Sequence, residues 1–171
     1  MIPKFLSILT CIILISLLNI SCADKIQSNL EKNKEIVRYI MEEGVNNKNF
    51  EVFDKIIGEN YVRHCQAMPP EFQEIKSIET MRDFLTQHFT AFPDWHEEIL
   101  FMVAEGDKVA YISRGTGTQT GPMGPIPATG KFVSVDNYII QRIENGKIVE
   151  SWVSWDNIYY LNQLGLIPSN L

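Results

Sequence analysis

The side chains of this sequence best placed to move a proton are Asp156 and His64. Asp156 closes the stretch GKIVESWVSWDN, Gly146 to Asn157, which reads as a turn and then a buried strand carrying Ile148, Val149, Trp152, Val153 and Trp155. Side chains alternate across a strand, so Ile148, Glu150, Trp152, Ser154 and Asp156 share one face, and Val149, Ser151, Val153 and Trp155 the other. If Trp152 points into an apolar interior, Asp156 does too. Desolvation there favours the protonated acid and brings its pKa closer to useful proton transfer near neutrality. Asp156 also stands directly before NIYYLNQL, where it is a good N-cap for a last helix, and the two roles are compatible. His64 follows Tyr61 and Val62 in YVRHC; it could hydrogen-bond Asp156 or a substrate oxygen, or be a satisfied histidine at a strand end. Cys65 beside it faces the other way, which excludes a Cys-His pair.

Further polar and aromatic residues could line the same interior. Trp95 and His96 follow the Pro93-Asp94 turn, and Trp95 is expected to face the cavity with His96 outward. From Phe132, one strand face carries Phe132, Ser134, Asp136, Tyr138, Ile140 and Arg142, and the other Val133, Val135, Asn137, Ile139, Gln141 and Ile143. The second is more apolar, so Asn137 and Gln141 become candidate inner groups that orient a substrate oxygen or merely satisfy backbone. Trp152 completes the expected substrate contacts. His88 shares the core side of its helix with Met81 and reads as a core histidine. The run GPMGPIPATGK resembles a phosphate loop only superficially: Gly124 lies one residue too far from Gly130, Phe132 follows Lys131, and Pro125 and Pro127 remove donors. It reads as a rim or flap. The three cysteines and three histidines lack the spacing of a zinc site, and neither metal nor cofactor is expected.

The elements that must position these groups change character along the chain. Asn29 can cap a helix with Ile36, Val37, Ile40 and Met41 at helical spacing, and Asn49 a short second one stopped at Gly58. Tyr61–Cys65 is a brief strand. A third helix spans Ser77 to Phe92, ended by Pro93. From Trp95 the period becomes two, with strand pairs joined at Glu105-Gly106-Asp107-Lys108 and at Glu144-Asn145-Gly146-Lys147. A short helix closes at Gly165. Helices followed by a run of strands indicate α+β, with N-terminal helices packed on a curved antiparallel sheet.

The N-terminal end reads differently. Residues 5–23 carry no charge behind a single Lys4, and CIILISLL lies in their middle. This describes a secretory signal over residues 1–21, with an uncleaved membrane anchor as the alternative. Asn-Ile-Ser-Cys at 19–22 resembles a lipoprotein processing site in which Cys22 is lipidated, although Asn19 stands where that pattern has Leu. Residues 22–28 then form a tether and 29–171 one domain, exported to the cell envelope and held at the membrane through its lipid alone. The formal charge of −6 disfavours nucleic acid and anionic membrane as partners.

The order and spacing of YVRH, FPDWHEEI, AEGDKVA, RGTGT, PATGK, RIENGKIVESWVSWD and LNQLG resemble the SnoaL-like polyketide cyclases, within the cone-shaped α+β barrels of the nuclear transport factor 2 class. The resemblance implies one apolar pocket between sheet and helices. It also implies a carboxylate acting as acid and base in a cofactor-free, aldol-type ring closure or isomerisation of a small hydrophobic carbonyl compound. Asp156 falls where the family's catalytic Asp follows the strand Trp, and His64 where relatives often carry a histidine near the pocket. Relatives often pair as homodimers through the sheet. The alternatives are a lipoprotein of the same fold that binds a small molecule without chemistry, and a purely structural one.

Overall fold

The computed structural model describes residues 24–167. The signal segment, Cys22 and the first tether residues lie outside them. Residues 24–39 form helix α1, so the helix begins ahead of Asn29 and takes in positions 24–28 of the expected tether. It continues as a π-helical turn, Ile40–Asn46, where Gly44 lets the Phe53 ring approach to within 3.2 Å of its would-be Cβ. No helix of the described residues is long and apolar enough to cross a membrane.

Helix α2, Phe50–Ile56, starts where expected because the Asn49 side chain accepts the Glu51 N–H. Strand β1, Ile57–His64, follows without a loop. After a 3-10 turn at Pro70–Phe72 and the two-residue β2, Glu74–Ile75, helix α3 runs Ile78–Ala91 from its Ser77 cap. Four strands then alternate with tight turns: β3 (His96–Glu105), β4 (Lys108–Thr118), β5 (Phe132–Glu144) and β6 (Lys147–Trp155). The β5–β6 turn places Asn145 and Gly146 at φ 52° and 78°, the left-handed pair that matches hairpin twist. Helix α4, Asn157–Gln163, closes the chain before Gly165 at φ 72°.

The six strands lie in the order β2-β1-β6-β5-β4-β3. The expected α+β arrangement holds, with two differences. The sheet is open rather than a closed barrel, and it is mixed, because β1 runs parallel to β6 while every other pair is antiparallel. Parallel neighbours need a long crossover, and everything from the 3-10 turn to β5 serves as that crossover. The helices cover one face, packing Val37, Ile40, Phe53, Leu85, Phe89 and Phe92 against Val109, Val133, Val135 and Ile148.

Register irregularities decide which side chains face inward. Arg142 pairs with Glu150 but Ile143 with Ile148, so Val149 is bulged out of the ladder. Strict alternation from Ile148 fails there, since a bulge adds one residue to one strand and reverses parity beyond it. Ser151 is therefore fully buried, Val153 and Trp155 pack on the core, and Glu150, Trp152 and Ser154 turn to the opposite face. On β3 a matching irregularity between Ile99 and Phe101 keeps Ile99 and Met102 inside and leaves Phe101 exposed. The loop from Gly121 to Gly130 is pinned by fully buried Gln119, which hydrogen-bonds Gly121, Pro127 and Thr129. Gly121 lies so close to helix α3 that an added Cβ would meet the Thr90 carbonyl oxygen at 2.1 Å.

Candidate active site

Two polar clusters result, one on each face of the sheet. The outer face holds His64, whose ring stacks on Trp152 with centroids 5.6 Å apart. His64 Nε2 lies 3.0 Å from Glu150 and Nδ1 3.7 Å from Glu74. Arg142 Nε donates to Glu150 at 3.0 Å, and its Nη1 reaches Glu144. His64 and then Arg142 hold the Glu150 carboxyl below its usual range. Beside this network an open groove of about 480 Å³ is lined by Phe101, Ile112, Tyr138, Ile140 and Trp152.

Asp156 is not in the interior. It is exposed, and its carboxylate accepts the Tyr159 N–H at 2.9 Å as the N-cap of α4. Of the roles open to them, Asp156 takes the helix cap and not the inward position, and His64 is a hydrogen-bonded strand-end histidine. The bulge at Val149 turns the strand end outward, and His64 bonds Glu150 rather than Asp156. Trp152 shares that outer face, so its expected place in the cavity is corrected too. Trp95, Asn137 and Gln141 do face inward, at 6%, 7% and 9% exposure.

The carboxylate that enters the interior is Glu97. The residue as a whole is half-buried, but its carboxyl end is enclosed. Trp95 Nε1 donates to Oε1 at 3.2 Å, and Asn137 Nδ2 reaches both oxygens at 3.1 and 3.3 Å. Gly115 lies beneath: a Cβ there would meet the Trp95 ring at 2.2 Å and the Glu97 oxygen at 3.0 Å. Its backbone is held as firmly. Asn46, at the end of the π-helical turn, accepts the Glu97 N–H at 2.8 Å and donates to the Glu97 carbonyl at 3.0 Å. Burial raises the Glu97 pKa, opposed by the donors around it.

Other ionisable groups surround this carboxyl. Burial pushes the Tyr111 hydroxyl well up, and Glu97 pushes it further. Burial likewise raises Tyr61, whose hydroxyl lies beside Ser151. Both phenols therefore remain donors at neutral pH. His88 is packed among Phe84, Phe89, Phe92 and Trp95, with the Trp95 ring edge-on at 4.5 Å. Desolvation and then Arg63 lower its pKa to about 4, leaving the imidazole neutral.

The sequence model of one family, SnoaL-like polyketide cyclase, matches residues 35–164, well over half of the chain. The chain belongs to the SnoaL-like polyketide cyclases. Solved structures agree with this fold. A proposed SnoaL-like polyketide cyclase from Jannaschia sp. CCS1 is 22% identical, with a TM-score of 0.73 over 81% of this chain and 95% of that one. AclR from Streptomyces galilaeus, a proposed hydroxylase, is 24% identical, with a TM-score of 0.72 and coverage of 83% and 86%. IdmH from Streptomyces antibioticus, a proposed polyketide cyclase, is 25% identical, with a TM-score of 0.68 and coverage of 78% and 98%. Comparison with curated proteins gives no matching relative.

In this SnoaL-like chain, Glu97 and its clamp Asn46 escaped the sequence reading although one signal pointed to Glu97. Trp95 inside with His96 outside puts Glu97 inside by simple alternation. Asn46 carries no comparable mark, because its partner lies fifty-one positions away.

The buried carboxyl makes a pH prediction with a definite sign. Glu97 titrates higher in the folded than in the unfolded chain, where the ordinary value is 4.5. The folded state thus binds more protons, and stability falls as pH rises from about 4.5 through the folded pKa. Glu97→Gln abolishes that loss. Denaturant unfolding of both proteins from pH 4 to pH 8 should show the variant gaining on wild type as pH rises. A pH-independent or opposite difference would contradict the burial.

Proposed function

We propose that this chain is a cofactor-free enzyme of the cyclase or isomerase type, with Glu97 as the group that takes and returns the proton. Its membership of a polyketide cyclase family supports the reaction class. The observation that carries the residue assignment is the enclosed Glu97 carboxyl, bonded by Trp95 and Asn137 and raised in proton affinity. A carboxylate tuned upward is a stronger base towards a carbon acid and a better match to neutral pH.

The steps balance without any co-reactant. Ionised Glu97 takes the proton of a C–H bond next to a carbonyl, and the bonding pair moves into the carbonyl to give an enolate. Tyr111 or Tyr61, each protonated, can donate to the enolate oxygen. In an aldol-type closure the enolate carbon bonds to a second carbonyl carbon, and the resulting alkoxide takes the proton held by Glu97. In an isomerisation that proton returns to a different carbon. A non-catalytic binding role is the second reading, favoured by the fact that two side-chain donors already occupy the Glu97 carboxyl.

The leader reading accompanies this proposal: export, with Cys22 lipidated and the domain held at the membrane. Fatty-acid labelling in the native host should mark wild type and fail on Cys22→Ser; an unlabelled wild type would end that part. For the chemistry, deuterium wash-in from D₂O next to the carbonyl of a panel of ketones and oxo acids, followed by proton NMR, reads the first step directly. Glu97→Gln should lose about 10²- to 10⁴-fold in rate, whereas Asp156→Asn, which keeps its cap, should stay near wild type. Undiminished wash-in by Glu97→Gln would remove Glu97 from the mechanism.

A further inference from the structure

Arg63 raises a separate question. It projects from β1 to the helix-covered face and is 6% exposed. Its guanidinium carbon lies 5.0 Å from the centroid of Phe84 on α3. Among the described residues it makes no ion pair, and Nη1 has no hydrogen-bond partner. A guanidinium cannot shed its charge at any physiological pH. Burying it unpaired is costly.

Its neighbours share the same deficit. Arg63 pairs in register with Ser151 on β6, and Ser151 with Gln141 on β5. All three are buried; Gln141 Oε1 likewise has no partner among the described residues, and Ser151 Oγ has none beyond the Tyr61 hydroxyl beside it. A row across three adjacent strands thus presents a guanidinium, a hydroxyl and an amide to one side, each with hydrogen-bonding capacity to spare. Buried polar groups are almost always satisfied, so a cluster of them in one row points to something else that they hold. The nearby titratable groups do not supply the missing charge. Tyr61 and Tyr111 are protonated phenols, and His88 is a neutral imidazole disfavoured as a cation by Arg63 itself.

We propose that Arg63, with Ser151 and Gln141, binds a carboxylate of the substrate, so that the compound acted on is an oxo acid rather than a neutral carbonyl compound. The planar fork of a guanidinium matches the two oxygens of a carboxylate, and the serine hydroxyl can donate to the same group; Gln141 can do so through Nε2 once its carboxamide is turned, since the unpartnered Oε1 only accepts. The position fits the proposed chemistry, on which this inference rests. Tyr111 is near enough to both Glu97 and Arg63 to feel both charges, so the two groups share one neighbourhood. A substrate that engaged both would carry its reacting C–H bond several bonds from the carboxylate.

The test uses straight-chain oxo carboxylates of five to ten carbons and their methyl esters, with binding to the full folded domain measured by calorimetry and thermal shift. Wild type should bind at least one acid about tenfold or more tighter than its ester, each tenfold being about 1.4 kcal/mol. Arg63→Met, close in volume and uncharged, should bind acid and ester alike. If that variant does not fold, Arg63→Lys keeps the charge without the paired donors and should lose most of the preference. Equal binding of acid and ester by wild type, binding of neither across the series, or a preference that survives in the Arg63 variant overturns the proposal; ordered water alone around the row would give the first of these. Glu97→Gln separates the two readings. It should keep the acid preference while losing wash-in, so a failure of Glu97 in wash-in and a failure of the acid preference are read independently.

Discussion

The structure turns on keeping one carboxyl group out of water. Glu97 could sit in solvent at no cost, yet its carboxyl is enclosed beneath an indole and over a glycine, with an amide bonding it. An ionised carboxylate in such a place is tolerated only if hydrogen bonds replace its hydration. Trp95 and Asn137 supply these, and the buried environment still tips the balance towards the proton. Local features follow from this requirement. Gly115 must lack a side chain so that Trp95 and Glu97 can lie flat on β4. The π-helical turn at 40–46 ends with Asn46 aimed at the Glu97 backbone, closing both its N–H and its carbonyl. Wide turns of this kind recur at functional sites because they re-aim a side chain.

The two faces of the sheet carry different chemistry because bulges divide them. Beyond Val149 the last long strand sends Ser151 and Val153 inward and Trp152 outward. The outer face consequently gathers the paired polar groups His64, Glu150 and Arg142 with an apolar groove alongside. The inner face gathers the unpaired or shifted groups: Glu97, Tyr61, Tyr111, Arg63, Gln141 and Ser151. Satisfied ion pairs do structural work, whereas strained protonation and uncommitted donors are what acid-base chemistry and anion binding require.

Much of the fold was legible before any coordinates. The helix start at Asn49, the stop before Pro93 and the Asn145-Gly146 turn follow local rules, and each landed where the sequence indicated. The apolar periodicity of β5 correctly placed Asn137 and Gln141 inside. The site itself was only half legible. Strict alternation carried Asp156 inward, and the single extra residue of a bulge sent it out to cap a helix. Bulges leave no reliable mark in residue type, because they depend on how two strands shear against each other. The parallel pairing of β1 with β6, which aligns Arg63 with Ser151, depends on contacts nearly ninety residues apart and was equally invisible.

The inner-face site stands on the proton affinity of one side chain. Carbon-13 NMR of glutamate side-chain carboxyls, titrated from pH 3 to pH 9 and assigned by the signal missing in Glu97→Gln, reports it directly. The Glu97 resonance should titrate with a midpoint clearly above the ordinary 4.5. A midpoint at or below that value would mean that water reaches the carboxyl freely, and the inner-face acid-base site would have to be abandoned.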